Sequence, residues 1–224
     1  TIVLFGAGKS SAILIEYLIR SCREEGWMTM VADINHSASL VKAGDAACAI
    51  PVTVNAEDVP ARRELIAKSD LVISLLPPSL HAGVAADCLD LSKNLLTASY
   101  IDNDLRRLER DIRRKGLLFL CEMGLDPGID HMSAMRAIRR IRDRGGFIHS
   151  FKSHCGGLIA PESDDNNWHY KVCWNPRNIV MAGKAGAEFK ENGSSYRIHY
   201  ESVFENCREV HIRGLGELVC YPNR

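Results

Sequence analysis

The chain has no excess of either charge: 28 Lys and Arg are matched by 28 Asp and Glu, a formal net charge of zero. A balanced surface has no global field to draw nucleic acid or an acidic membrane, so neither is expected as a partner and any anion site must be local. Cys-x-x-Cys pairs are also missing. The eight cysteines are scattered at 22, 48, 88, 121, 155, 173, 207 and 220, most in apolar surroundings. That pattern suits buried thiols in a reducing compartment, not a disulfide framework or a zinc site, and no metal is expected. No apolar run reaches the length of a membrane span, and the first residues read as a strand, not as a secretory leader. A cytoplasmic protein is expected. Internal repeats and low-complexity stretches are absent too.

What remains is an alternation of short apolar runs with amphipathic stretches. Strands are expected at Ile2–Phe5, Met28–Asp33, Leu71–Leu76, Asn94–Ser99 and Leu117–Cys121, with a further short one near Ala47–Val54. Helices are expected at Ser11–Arg23, Ala61–Ser69, Leu80–Leu89, Asn103–Lys115 and Pro127–Arg142. Continuous apolar strands separated by helices imply an α/β fold, a doubly wound parallel sheet of Rossmann type, with its ligand crevice at the strand carboxyl ends. After Gly145-Gly146 the helical period fades. Phe147–His154, Tyr196–Tyr200, Glu209–Arg213 and Glu217–Tyr221 alternate apolar and polar residues, as strands of an open antiparallel sheet do. Two domains are expected, residues 1–126 and residues 127–224. The second ends after its last strand without a capping element, so a longer parent protein is expected.

The strand Ile2–Phe5 runs into Gly6-Ala7-Gly8-Lys9-Ser10-Ser11 and then a helix. Gly6 permits the tight turn, Gly8 lets a pyrophosphate approach the backbone, and the helix amides face the phosphates. Ser11 takes the third glycine position of the motif. Lys9 either touches phosphate or is a solvated cation. Asp33 closes the second strand roughly 20 residues on, where a carboxylate binds the adenosine ribose hydroxyls. Its charge would repel a 2′-phosphate, so NAD is favoured over NADP. The expected cofactor contacts are Gly6, Ala7, Gly8, Lys9, Ser10, Asp33, Ile34, Val54, Ser99 and the segment Ser74, Leu75, Leu76 and Pro77. That segment should pass the nicotinamide-side ribose before its proline pair turns the chain.

Three later segments are more specific. They are Asp70 to Pro77, Thr97-Ala98-Ser99-Tyr100-Ile101, and the run Glu-Met-Gly-Leu-Asp-Pro-Gly-Ile-Asp-His from Glu122 to His131. They are followed in order by Ser150 to Leu158 with its Cys-Gly-Gly-Leu, by Ala160-Pro161-Glu162, by Tyr170-Lys171 and Trp174, and by Tyr221-Pro222-Asn223-Arg224. In these the chain resembles the saccharopine dehydrogenase (saccharopine reductase) family of the glutamate-forming type, over essentially its whole length.

The resemblance implies a Rossmann domain joined to a mixed α/β substrate and dimerisation domain, a chain about twice this length, and a homodimer. It implies NAD(P)-dependent oxidation of saccharopine, a secondary amine joining lysine to glutarate. Hydride leaves, and the imine hydrolyses to glutamate and 2-aminoadipate 6-semialdehyde. It also raises fusion to, or association with, a lysine-ketoglutarate reductase. By resemblance Ser99, Asp126, Cys155 and Arg224 meet the substrate; Tyr100, Gly156 and Lys171 are further substrate-binding candidates, and Asp126 is the catalytic candidate. Arg224 suits a bidentate carboxylate pair and Gly156 an open backbone amide. Asp126, ahead of Pro127, also reads as a helix N-cap, and the two roles are compatible. Lys171 and Arg177 are anion ligands or plain surface charge. The general base stays open among His81, Tyr100, Asp126, His131 and His154.

The chain departs from the family pattern at Asp33-Ile34-Asn35, where NADP-using members carry an Arg. It departs again at Asn167-Trp168-His169 and in the loop from Leu158 to Pro161. The basic run Arg136 to Arg144 reads as the solvated faces of a helix whose apolar stripe is Ile129, Met132, Met135, Ile138 and Ile141. The alternatives are a related amine dehydrogenase, such as a lysine 6-dehydrogenase, and a dinucleotide-binding domain without catalysis.

Overall fold

The computed structural model describes residues 1–167, 169–172, 184 and 186–222. They form two compact units, Thr1–Phe151 and Lys152–Arg224. In the first, strands β1 (Ile2–Phe5), β2 (Thr29–Asp33), β3 (Ala49–Thr53), β4 (Leu71–Ser74), β5 (Asn94–Thr97) and β6 (Phe119–Leu120) make one sheet in the order β3-β2-β1-β4-β5-β6. All five pairings are parallel. The order reverses between β1 and β4, which is the switch point of a doubly wound sheet.

The central strand is buried on both faces because both are apolar. Val3 and Phe5 join one core with Met30, Val72, Val84 and Leu95, and Ile2 and Leu4 join the other with Ile15, Val31 and Ile73. The connecting helices are α1 (Ala12–Glu25), α2 (His36–Ala43), α3 (Val59–Ala67), α4 (Pro78–Asp90), α5 (Asn103–Arg114) and α6 (Ile129–Asp143). Side-chain caps start three of them: Asn35 accepts from Ala38, Asp58 from Ala61 and Asp102 from Leu105. Between α3 and α4, Arg62 is buried against Asp87 with Nε–Oδ2 at 2.7 Å, and its Nη1 donates to the Ala56 carbonyl. No helix among the described residues is long and apolar enough to cross a membrane.

The structure departs from the sequence expectations in several places. Helix α2 was not anticipated: its eight residues have little apolar periodicity, and only Ser39 and Ala43 are buried. The alternating stretch Phe147–His154 forms no strand. Asp126 is not an N-cap: α6 starts at Ile129 behind Gly128, whose φ of 150° is not helical. Asp126-Pro127 is a cis peptide outside the helix. The apolar stripe of α6 is itself exposed at Ile129, Met132, Met135 and Ile141, and none of the helix's residues is buried.

In the second unit, β7 (Ala187–Glu191) pairs antiparallel with β8 (Ser194–Ile198), and β9 (Arg208–Ile212) with β10 (Gly216–Cys220). Asn192 and Gly193 both have positive φ, as a two-residue hairpin turn requires. An Arg208–Glu191 ion pair at 2.9 Å ties the two hairpins. They form two separate two-stranded sheets among the described residues, not the single open sheet expected.

Candidate active site

The glycine turn sits at the switch point. Gly6 has φ +105°, and a Cβ there would lie 2.9 Å from the Leu75 carbonyl oxygen, so only glycine lets the turn pass the end of β4. Leu75 N–H in turn donates to the Phe5 carbonyl at 2.8 Å. A Cβ on Gly8 would meet nothing within 4 Å, so the space a pyrophosphate needs is open beside the backbone. Lys9, Ser10 and Ser11 form a single helical turn leading into α1, with Lys9 and Ser10 exposed. These residues fit a dinucleotide.

Asp33 lies at the carboxyl end of β2, as expected, but its oxygens serve the protein first. Oδ2 accepts the Ala7 N–H at 2.6 Å and Oδ1 the Asn35 N–H at 2.8 Å. Sequence reasoning missed Lys42 on α2. Its Nζ donates to the Gly8 carbonyl and, at 2.8 Å, to Ser11 Oγ. Partial burial pushes the Lys42 ammonium pKa down, with Asp33 opposing. Weak helical patterning over α2 hid this cation. Ile34 is exposed, whereas Val54 is buried in the core with its N–H on the Asp33 carbonyl.

The carboxyl ends of β4 and β5 carry a second cluster. His81, in the first turn of α4, is 3% exposed, Ser74 0% and Thr97 1%. His81 Nδ1 lies 2.9 Å from Ser74 Oγ and 3.4 Å from Thr97 Oγ1, and its Nε2 lies 2.6 Å from Ser99 Oγ. Burial holds the imidazole below its ordinary pKa, with Asp102 and a Leu76 carbonyl bond opposing. Next to Ser99, the Tyr100 hydroxyl donates to Asp126 Oδ1 at 2.9 Å. The Glu122 N–H donates to the Ser99 carbonyl at 3.0 Å and the Met123 N–H to the Thr97 carbonyl at 3.1 Å. The segments 97–101 and 122–131 are thus stitched into one wall. Gly128 closes it, since a Cβ there would strike the Gly124 backbone. Asp126, Asp130 and His131 offer atoms within 4.8 Å of one another. Asp130 is engaged by the Gly128 N–H and by His131, whose pKa this bond raises.

In the second unit, Cys155 and Gly156 are exposed. A Cβ on Gly157 would sit 2.8 Å from the Tyr170 ring, and Leu158 bridges to Tyr170. The Cys-Gly-Gly-Leu and Tyr-Lys motifs therefore pack on each other. Lys171 is held by Asp165 at 2.8 Å. Arg224, with Trp174 and Arg177, lies outside the described residues.

A glycine turn at the switch point of a 3-2-1-4-5-6 sheet, with a carboxylate at the end of β2, defines a Rossmann domain for a nicotinamide dinucleotide, NAD or NADP. The family description "Saccharopine dehydrogenase NADP binding domain" matches residues 2–120, and "Saccharopine dehydrogenase C-terminal domain" matches residues 124–224. The chain belongs to the saccharopine dehydrogenase family. It is 34% identical over 225 aligned positions to the saccharopine dehydrogenase (NADP(+), L-glutamate-forming) of Schizosaccharomyces pombe, covering 100% of this chain and 49% of that protein. Its identity to the mitochondrial alpha-aminoadipic semialdehyde synthase of Rattus norvegicus is 37%, covering 100% of this chain and 24% of that one. The structure of apo histidine-tagged saccharopine dehydrogenase (L-Glu forming) from Saccharomyces cerevisiae superposes with a TM-score of 0.85 at 31% identity. That match covers 100% of this chain and 49% of the yeast chain. The chain thus spans about half the length of these relatives or less.

Proposed function

We propose that this chain is the dinucleotide-binding part, with a portion of the substrate domain, of a saccharopine dehydrogenase that forms L-glutamate. The observation that carries the reading is the pair of consecutive family matches, residues 2–120 and 124–224, on a sheet whose turn has room for the cofactor's phosphates. When bound, the cofactor supplies a hydride acceptor, and the oxidised amine then hydrolyses to glutamate and 2-aminoadipate 6-semialdehyde. The protein's own share is binding and orientation. Gly6, Ala7 and Gly8 would hold the pyrophosphate and Leu75 to Pro77 the nicotinamide-side ribose. Ser99, Tyr100 and Asp126 would face substrate and reacting ring. By family resemblance Cys155 and Gly156 would contact substrate, and Lys171 and Arg224 would bind its carboxylates, with Lys171 first released from Asp165.

Asp33 favours NAD, because a carboxylate at the ribose disfavours a 2′-phosphate. A homodimer, and fusion or association with a lysine-ketoglutarate reductase, complete the reading. The fusion draws support from the chain's match to only 24% of the rat synthase. The test is a steady-state assay of the full-length polypeptide with saccharopine, NAD and NADP being supplied separately. Saccharopine-dependent cofactor reduction is expected, faster with NAD. Reduction with lysine alone, or dinucleotide binding without turnover, overturns the reading.

A further inference from the structure

Ser74, His81 and Ser99 come from three elements, the ends of β4 and β5 and the first turn of α4, yet they form one hydrogen-bonded line. Its inner end is sealed, since Ser74 is 0% exposed, and its outer end at Ser99 is partly open at the sheet's carboxyl edge. A buried imidazole is expensive to hide unless both ring nitrogens are satisfied. Here they are: Nδ1 meets Ser74 and Thr97, and Nε2 meets Ser99 at 2.6 Å. Thr97 Oγ1 also accepts the Ser99 backbone N–H at 3.2 Å, so the same cluster fixes both the main chain and the hydroxyl of Ser99.

The geometry points to His81 as a positioning residue that aims and polarises the Ser99 hydroxyl toward whatever the carboxyl edge of the sheet binds. This deepens the proposed function and rests on it for the identity of the substrate. A neutral imidazole has one donor and one acceptor nitrogen, so the hydroxyls at its two ends take opposite roles. With Nε2 protonated, Ser99 Oγ accepts from the ring and keeps its own proton for an outward acceptor, such as a substrate carboxylate or the nicotinamide carboxamide. With Nδ1 protonated, Ser99 donates inward and offers a lone pair outward. In either state the ring holds the hydroxyl in a single rotamer, where a lone serine at a loop edge samples several. Orientation of this kind is worth about a hundredfold when an ångström is lost.

The experiment is a double-mutant cycle in the full-length enzyme, reading kcat/KM for saccharopine at a temperature well below unfolding. His81→Leu and Ser99→Ala are each expected to lose roughly tenfold or more. The double variant should lose no more than Ser99→Ala alone, because His81 acts through that hydroxyl. His81→Gln, whose carboxamide can still meet Ser99, should recover part of the loss and covers the case in which the leucine variant fails to fold. A merely structural histidine would lower the unfolding temperature and leave kcat/KM of the folded enzyme intact, which overturns the proposal. So does a double variant whose loss is the product of the two single losses. If the wild-type enzyme ignores saccharopine, the proposed function fails but the relay is still read. Ser99→Ala must then shift the ring-nitrogen resonances of His81 in a nitrogen-15 spectrum, and unchanged resonances overturn it.

Discussion

Asp33 Oδ2 accepts the backbone N–H of Ala7 at 2.6 Å, so the carboxylate proposed to read the ribose also pins the glycine turn. Asp33→Ala removes this bond together with the one from Asn35. Bonds to a charged group contribute about 1.5–3 kcal/mol each, so affinity for NADH and NADPH should both fall by tenfold or more. The fall should be greater for NADH, because the repulsion of a 2′-phosphate goes with the carboxylate. Fluorescence titration with the two reduced cofactors checks this. Unchanged affinity and selectivity would show that Asp33 has neither role.

Among the described residues Asp87 is the carboxylate paired with the buried Arg62 guanidinium, and it also holds Arg63 at 2.6 Å. Asp87→Ala leaves a charge in the core with only the Ala56 carbonyl for company. The expected loss is about 3–5 kcal/mol, a large part of the stability of an ordinary domain. Urea unfolding measures it, and a change below about 1 kcal/mol would mean that water reaches the guanidinium.

Burial lowers the pKa of His81 from its ordinary 6.5. The unfolded chain therefore takes up a proton before the folded one does. The stabilisation is complete above about pH 6.5 and is lost as pH falls through the folded value. Exposed His131, raised by Asp130, contributes with the opposite sign and weakly. The unfolding temperature of the wild type should drop more steeply below pH 6.5 than that of His81→Gln. Parallel curves would contradict the buried neutral ring.

Cys88 is buried, and its thiol is pushed up to about 12 by that burial and by neighbouring Asp87. Cys155 and Cys207 are exposed. Iodoacetamide at pH 8 should label the exposed pair in the native protein and reach Cys88 only after denaturant, because the thiolate is the reactive form. Mass spectrometry of the peptides decides, and early labelling of Cys88 would show an open core.

Much of this architecture was legible in one dimension. Ile2–Phe5 is a strand because four apolar residues precede a Gly-x-Gly turn, and that context admits little else. Helix α2 escaped because eight residues with two buried positions carry almost no period, although Asn35 before it and Gly44 after it were usable start and stop signs. Phe147–His154 alternates like a strand but has no strand to pair with among the described residues, and alternation alone supplies no hydrogen-bonding partner. Asp126-Pro127 looked like a helix start because local chemistry allows it, yet Gly128 holds the chain out of helix for two further residues. The Ser74–His81–Ser99 line could not have been read at all. Ser74 and His81 are seven residues apart, but Ser99 reaches them only because β4 and β5 lie side by side.

The fit of Gly6 against the Leu75 carbonyl has a practical corollary for protein engineering. Any side chain at residue 6 would force apart the two strands that frame the crevice, so this position offers no freedom for redesign. Attempts to exchange one nicotinamide coenzyme for the other belong on the exposed rim at Ile34, Asn35 and His36, beside the proposed adenosine end, where replacements leave the Gly6 turn untouched.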